Sequence, residues 1–269
     1  MNGNPSPAAA AGESAGVAPD VAARLRRLRV WNLAVGAVLA VQAVAIALLT
    51  NDFTLPVTAT YMTGPPGSEA QLTHLADIKL GWGVFAFVAI SAGALFTIAA
   101  PGVFEWYTAN LLRSRNYGRW IEYFFSSSLM IVLISMITGV SDIAALVAIF
   151  GVNASMILFG LLMEKYESPG QPDWLPFLFG CFAGAIPWVV VALYLFSVGL
   201  AGPKPPGFVY GIVVSLFLFF NSFAVNMWLQ YRQVGPWRDY LFGEKAYIFL
   251  SLTSKSLLAW WVFSAVLAG

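Results

Sequence analysis

Seven stretches of this chain stay apolar for about the length of a membrane-spanning helix: residues 30–50, 77–100, 119–140, 143–163, 175–199, 208–230 and 246–268. A hydrocarbon core about 30 Å thick takes about 20 residues at 1.5 Å each, so every run predicts one transmembrane helix. Turn-rich connectors separate them, among them Gly64-Pro65-Pro66-Gly67, Ser168-Pro169-Gly170 and Gly202-Pro203-Lys204-Pro205-Pro206-Gly207. Only Val140-Ser141-Asp142 lies between the third and fourth runs, which makes those helices antiparallel neighbours. Residues 51–75 form the long connector after the first helix; within it Thr54 to Tyr61 alternates and is rich in β-branched residues, which predicts a short strand or hairpin. The expected fold is therefore an all-α integral membrane protein. It is a seven-transmembrane-helix bundle with a short β-hairpin in the external loop between helices 1 and 2. The first residues are rich in Ala, Gly, Pro and Ser and lack a basic start followed by an apolar stretch, so residues 1–23 read as a disordered tail and not a signal peptide. Residues 24–269 then form a single membrane domain.

Composition agrees with the pattern. Of the 269 residues 59% are hydrophobic and only 10% charged, a surface no ordinary water-soluble globule tolerates. A net charge of +1, with no groove-sized basic patch, points away from nucleic acid. The single cysteine, Cys181, excludes an intrachain disulfide, and with one histidine, His74, a His/Cys metal centre lacks ligands. The basic residues also set an orientation, because Lys and Arg in short loops resist translocation. Arg24, Arg26, Arg27, Arg29, Arg113, Arg115, Arg119, Lys165, Arg232, Arg238 and Lys245 all fall on the side of the N-terminus, whereas Lys79 and Lys204 fall on the other. The expectation is a multi-pass protein of the cell membrane with a cytoplasmic N-terminus and an extracellular C-terminus.

One lysine fits neither side. Lys255 stands in the middle of the last apolar run, where a charge costs about 3 kcal/mol or more, so it normally persists only with a partner or a task. Glu122, one turn after Arg119 near the start of the third run, is the carboxylate whose depth overlaps its reach. Two readings are open. In one, the pair is a structural bridge between two helices. In the other, the desolvated lysine is a nucleophile toward an aldehyde and carries a covalent cofactor through an imine, with Glu122 balancing the protonated nitrogen.

Longer blocks bear on the choice. Asn51-Asp52-Phe53 with Gly64-Pro65-Pro66-Gly67, Arg119-Trp120-Ile121-Glu122-Tyr123 with Ser126-Ser127-Ser128, and the run from Ile149 to Gly160 (IFGVNASMILFG) resemble the heliorhodopsins. So do Pro206-Gly207-Phe208-Val209-Tyr210-Gly211 with Phe217 to Phe223, and Ala246-Tyr247-Ile248 with Ser254-Lys255-Ser256. The resemblance implies all-trans retinal on Lys255, Glu122 as its counterion, a homodimer in membrane lipid, a slow photocycle and a signalling partner on the cytoplasmic side. It places Ser126 and Ser251, each one turn from a member of the pair, at the Schiff-base region; ordinary small-residue helix packing is the alternative for each. It also places Asn153 near the retinal ring and Gln42 in a cytoplasmic cavity. Trp188, Phe217, Phe220 and Trp260 are the candidate walls of an apolar slot, although most of the aromatics belong to lipid-facing belts. The family often carries two membrane histidines that take part in holding the Schiff-base proton. Here Leu39 and Thr97 stand at the matching positions, which leaves that proton's destination open.

Pumping is disfavoured, because it needs proton groups on both sides of the imine. Microbial pump rhodopsins carry a second carboxylate or similar group eleven residues after the first; here that position is Leu133, and Phe124 to Thr138 holds no ionisable side chain. The aspartate that pumps place four residues before the lysine is Ser251. The leading expectation is a retinal photoreceptor; a light-driven or light-gated ion transporter and a retinal-free transporter or structural membrane protein are the alternatives. No nucleophile–base constellation points to an enzyme.

Overall fold

The computed structural model describes residues 19–201 and 207–268. Residues 1–18 of the expected N-terminal tail and 202–206 of a connector lie outside the described residues; residues 19–23, expected as tail, instead open the first helix. The helices are α1 (Pro19–Leu49), α2 (Leu80–Ala99), α3 (Val103–Leu111), α4 (Tyr117–Ile137), α5 (Ile143–Tyr166), α6 (Leu175–Ala201), α7 (Gly207–Tyr231) and α8 (Tyr240–Ala268). Strands β1 (Thr54–Met62) and β2 (Ala70–Lys79) pair antiparallel between α1 and α2. Among the described residues seven helices are long and apolar enough to cross a membrane; α3, nine residues long, is not one of them. Helix α3 links α2 to α4 on the side of the bundle where the chain begins. The sequence pattern did not reveal it, because nine residues with Glu105 among them lack a spanning run's length.

Helix ends follow local chemistry. Gly139, at φ 105°, ends α4: its N–H donates to the Met136 carbonyl and that of Val140 to the Ser135 carbonyl, a reversal that needs the left-handed region. Asp142 then caps α5, accepting from the Ala144 and Ala145 amides, so the tight turn inferred from three residues is built from a glycine stop and an aspartate start. The hairpin folds back on this turn. The Thr58 amide donates to the Ser141 carbonyl at 2.8 Å, and the two hydroxyls lie 3.0 Å apart. At the hairpin's base Lys79 donates to Asp52 at 2.6 Å, which holds the exposed Asp52 carboxyl below its ordinary value.

The bundle's outer surface is apolar: Leu48, Val41 and Phe182 are all strongly exposed, as a lipid-facing surface requires. Helix α4 is the most enclosed of the seven, with 61% of its most apolar window buried. It and α8 carry the two charges singled out above.

Candidate functional site

Lys255 and Glu122 meet. Lys255 Nζ donates to Glu122 Oε1 at 2.6 Å, with the side chains only 4% and 8% exposed. The ammonium also lies 5.0 Å from the centre of the Tyr123 ring. The same carboxylate oxygen accepts from the Ser91 hydroxyl at 2.6 Å. Ser91, on α2, gave no sign of this role in the sequence: its hydroxyl also reaches the Phe87 carbonyl, the ordinary arrangement of a serine in a membrane helix.

Lys255 lines a cavity of about 260 Å³ between α4, α5, α6, α7 and α8. Its walls are almost wholly apolar. Trp188 stands edge-on to Phe217 and Phe220 at 5.3 and 5.4 Å, and all three line the cavity. Gly160, Gly180 and Gly184 open its α5–α6 side; a Cβ at Gly160 would overlap the Trp120 ring, and one at Gly184 would overlap the Met156 sulfur. An apolar slot with one primary amine in its wall fits an apolar aldehyde bound through an imine.

The other expected site residues are placed as follows. Ser251 lines a second, smaller cavity, described below, together with Glu122. Ser126 is fully buried and its hydroxyl has no hydrogen-bond partner. Asn153 donates to Ser127 and Ser128 on α4 at 2.9 and 3.1 Å; of these, Ser127 lines the large cavity. Gln42 donates to Ser256 at 2.9 Å, one residue beyond the lysine, and does not line the small cavity; Asn32 is the α1 residue that does. Trp260 is 40% exposed and does not line the large cavity. Five residues of helix after Lys255 carry it about 140° around α8, away from the amine's face. Leu39 is fully buried, and Thr97 bonds its own helix at the Gly93 carbonyl.

A second buried ion cluster lies toward the chain's starting side. Arg119 bridges Glu164 on α5, at 2.5 Å, and Glu244 on α8. The Asn116 amide donates to Glu164 and its side chain to Glu244, at 2.8 and 2.7 Å, while Trp120 Nε1 and Tyr240 Oη also donate to Glu164. The sequence held one signal for it. Glu244, Ser251 and Lys255 fall at the i, i+7, i+11 spacing of one helical face, a polar stripe running from the ion cluster to the amine.

A family model described as Heliorhodopsin matches residues 28–267. The chain belongs to the heliorhodopsin family. Heliorhodopsins are retinal-binding microbial rhodopsins, so membership implies a retinal chromophore and agrees with a slot of this kind. The fold is also that of solved rhodopsins. The light-driven proton pump of Coccomyxa subellipsoidea superposes with a TM-score of 0.60 at 20% identity, over 87% of this chain and 94% of that one. The light-driven proton pump of Leptosphaeria maculans does so with a TM-score of 0.63 at 14% identity, over 88% and 94%. At such identities the likeness is one of fold alone. Among curated protein sequences there is no match.

Proposed function

We propose that this heliorhodopsin is a light sensor that holds all-trans retinal on Lys255, with Glu122 as counterion, and signals without moving ions across the membrane. The observation that carries this reading is a single side chain in two places at once: Lys255 Nζ pairs with Glu122 at 2.6 Å while lining the apolar cavity. Bound as an imine, retinal supplies the visible absorption and the photoisomerisation. The chain supplies the rest. Glu122 holds positive charge at Nζ, Ser91 orients the carboxylate, and Trp188, Phe217 and Phe220 shape the slot and keep water from it. The basic residues support a cytoplasmic N-terminus, which puts the Arg119 cluster on the signalling side.

Both superposed structures are of proton pumps, so transport is the reading to weigh. Against it stands α4. Leu133 is 2% exposed in the core, and Ser135 bonds back to the Ile131 carbonyl instead of toward a relay. Beyond Glu122, α4 thus offers a proton no ionisable side chain from Phe124 to Thr138.

Two measurements test the proposal. All-trans retinal added to the purified protein should give a visible band that hydroxylamine removes; a colourless preparation refutes retinal binding. Steady illumination of weakly buffered cells should give no pH change. A change abolished by a protonophore refutes the absence of transport.

A further inference from the structure

The small cavity is polar where the large one is apolar. It measures about 40 Å³ and reaches from Glu122 and Ser251 to Arg119 and Glu244. Several buried polar atoms around it lack hydrogen-bond partners: both side-chain atoms of Asn32, the Tyr107 hydroxyl and Arg119 Nε. Asn32 and Tyr107 lie near each other but not in hydrogen-bond geometry. Orphaned donors and acceptors around a space of this size are the setting in which water is held, and the volume admits at least one molecule.

The two carboxylates beyond it are not equivalent. Glu164 accepts from the Asn116 amide, Arg119, Trp120 and Tyr240, and does not line the cavity. Glu244 accepts from Arg119 and Asn116, and lines it. One guanidinium faces two carboxylates, so the cluster carries an uncompensated negative charge, and the carboxylate with fewer donors, which also faces the cavity, is the one a proton neutralises at least cost. Around Glu244 stand Arg119 from α4, Glu164 from α5, Tyr107 from α3, and Tyr240 and Tyr247 from its own helix. Burial, with Glu244's charge adding to it, pushes the Tyr107 hydroxyl well above the ordinary phenol range, so it stays protonated.

We propose that Glu244 is the proton-accepting carboxylate of this protein, reached from Lys255 Nζ through Glu122 and water in the small cavity. The proposal rests on the retinal reading for the event that releases the proton. A proton leaves Nζ for Glu122 Oε1, the acid passes a proton to water, and water passes one to Glu244. Nζ and Glu244 end neutral, Glu122 ends as the carboxylate, and total charge is unchanged. The negative charge has moved from the Arg119 cluster to Glu122, and the reverse path restores it. This gives a destination to a proton for which Leu39 and Thr97 offer none.

The test begins with retinal-free protein, by infrared titration of the carboxyl C=O stretch. Wild type should show a buried carboxylic acid band that Glu244→Gln lacks; identical titrations overturn the proposal. In the pigment, a carboxylic acid band should rise as the visible band is lost to the near ultraviolet, and should be absent in Glu244→Gln, whose one amide oxygen still accepts from Arg119. A band that persists there overturns the assignment. Asn32→Leu leaves every carboxylate in place but dries the cavity, and should slow that rise several-fold; unchanged kinetics overturn the water path, and this variant decides the matter if Glu244→Gln fails to fold. A protein that never colours refutes the retinal reading, while the retinal-free titration still judges Glu244.

Discussion

Replacing Arg119 by glutamine removes the one cation between Glu164 and Glu244, whose side chains are 3% and 1% exposed. Breaking a buried pair costs about 3–5 kcal/mol, because the charge left behind is neither solvated nor paired. Here two carboxylates are left behind within reach of one asparagine, so Arg119→Gln should lie at the upper end of that range. The second replacement is informative. Glu244→Gln removes the surplus carboxylate, so it should cost far less alone, and in the Arg119 background it should restore part of the loss, with a coupling of about 1–3 kcal/mol. The assay is a double-mutant cycle in retinal-free protein, with unfolding in detergent followed by tryptophan fluorescence and far-ultraviolet circular dichroism. Effects additive within about 0.5 kcal/mol would refute the claim that the two carboxylates compete for one guanidinium.

Three further outcomes follow from the geometry. In the pigment, Glu122→Gln leaves Nζ without its fixed counter-charge, so a larger fraction should absorb in the near ultraviolet unless chloride takes the vacant place; a pH titration of the visible band, with and without halide, that matches wild type would assign the counterion elsewhere. Gly160→Ala puts a methyl group into the Trp120 ring, and overpacking of this kind costs about 1–3 kcal/mol, so pigment yield and thermal midpoint should both fall; wild-type values for both would mean that the slot is looser than the packing shows. Asp52, its pKa lowered from 3.8 by hydrogen bonding and charge from Lys79, keeps its ion pair above the ordinary aspartate range and loses it only as pH falls through the depressed value; carboxyl-carbon NMR should show this, and Lys79→Ala should return the titration to the ordinary position.

What the sequence made legible divides along physical lines. The spans were readable because a bilayer demands long apolar runs, and the Lys255–Glu122 pair because a charge at depth needs a partner. Trp188, Phe217 and Phe220 followed from being aromatic near that depth, but the same reasoning put forward Trp260, which helical rotation turns out of the cavity. Ser91 was hidden because which face of α2 meets α4 is a tertiary fact, and a membrane serine satisfied by its own helix looks the same either way. The Arg119–Glu164–Glu244 cluster, whose one trace is the polar stripe on α8, was obscured for another reason. Each of the three sits near the end of a span, where charges ordinarily face headgroups and water, and only the packing of α4, α5 and α8 turns them inward. Gln42 was placed by likeness alone, and the rotation of α1 directs it to Ser256.

The proposed imine is at Lys255 Nζ. The direct measurement is the absorption spectrum, after adding all-trans retinal, of Lys255→Ala and Lys255→Arg beside wild type. The arginine variant keeps a cation against Glu122 and so protects the fold, yet a guanidinium does not supply the primary amine that an imine requires. Both variants should remain without a visible band while matching wild type in helix content and elution volume. A hydroxylamine-sensitive visible band in either one would contradict the account.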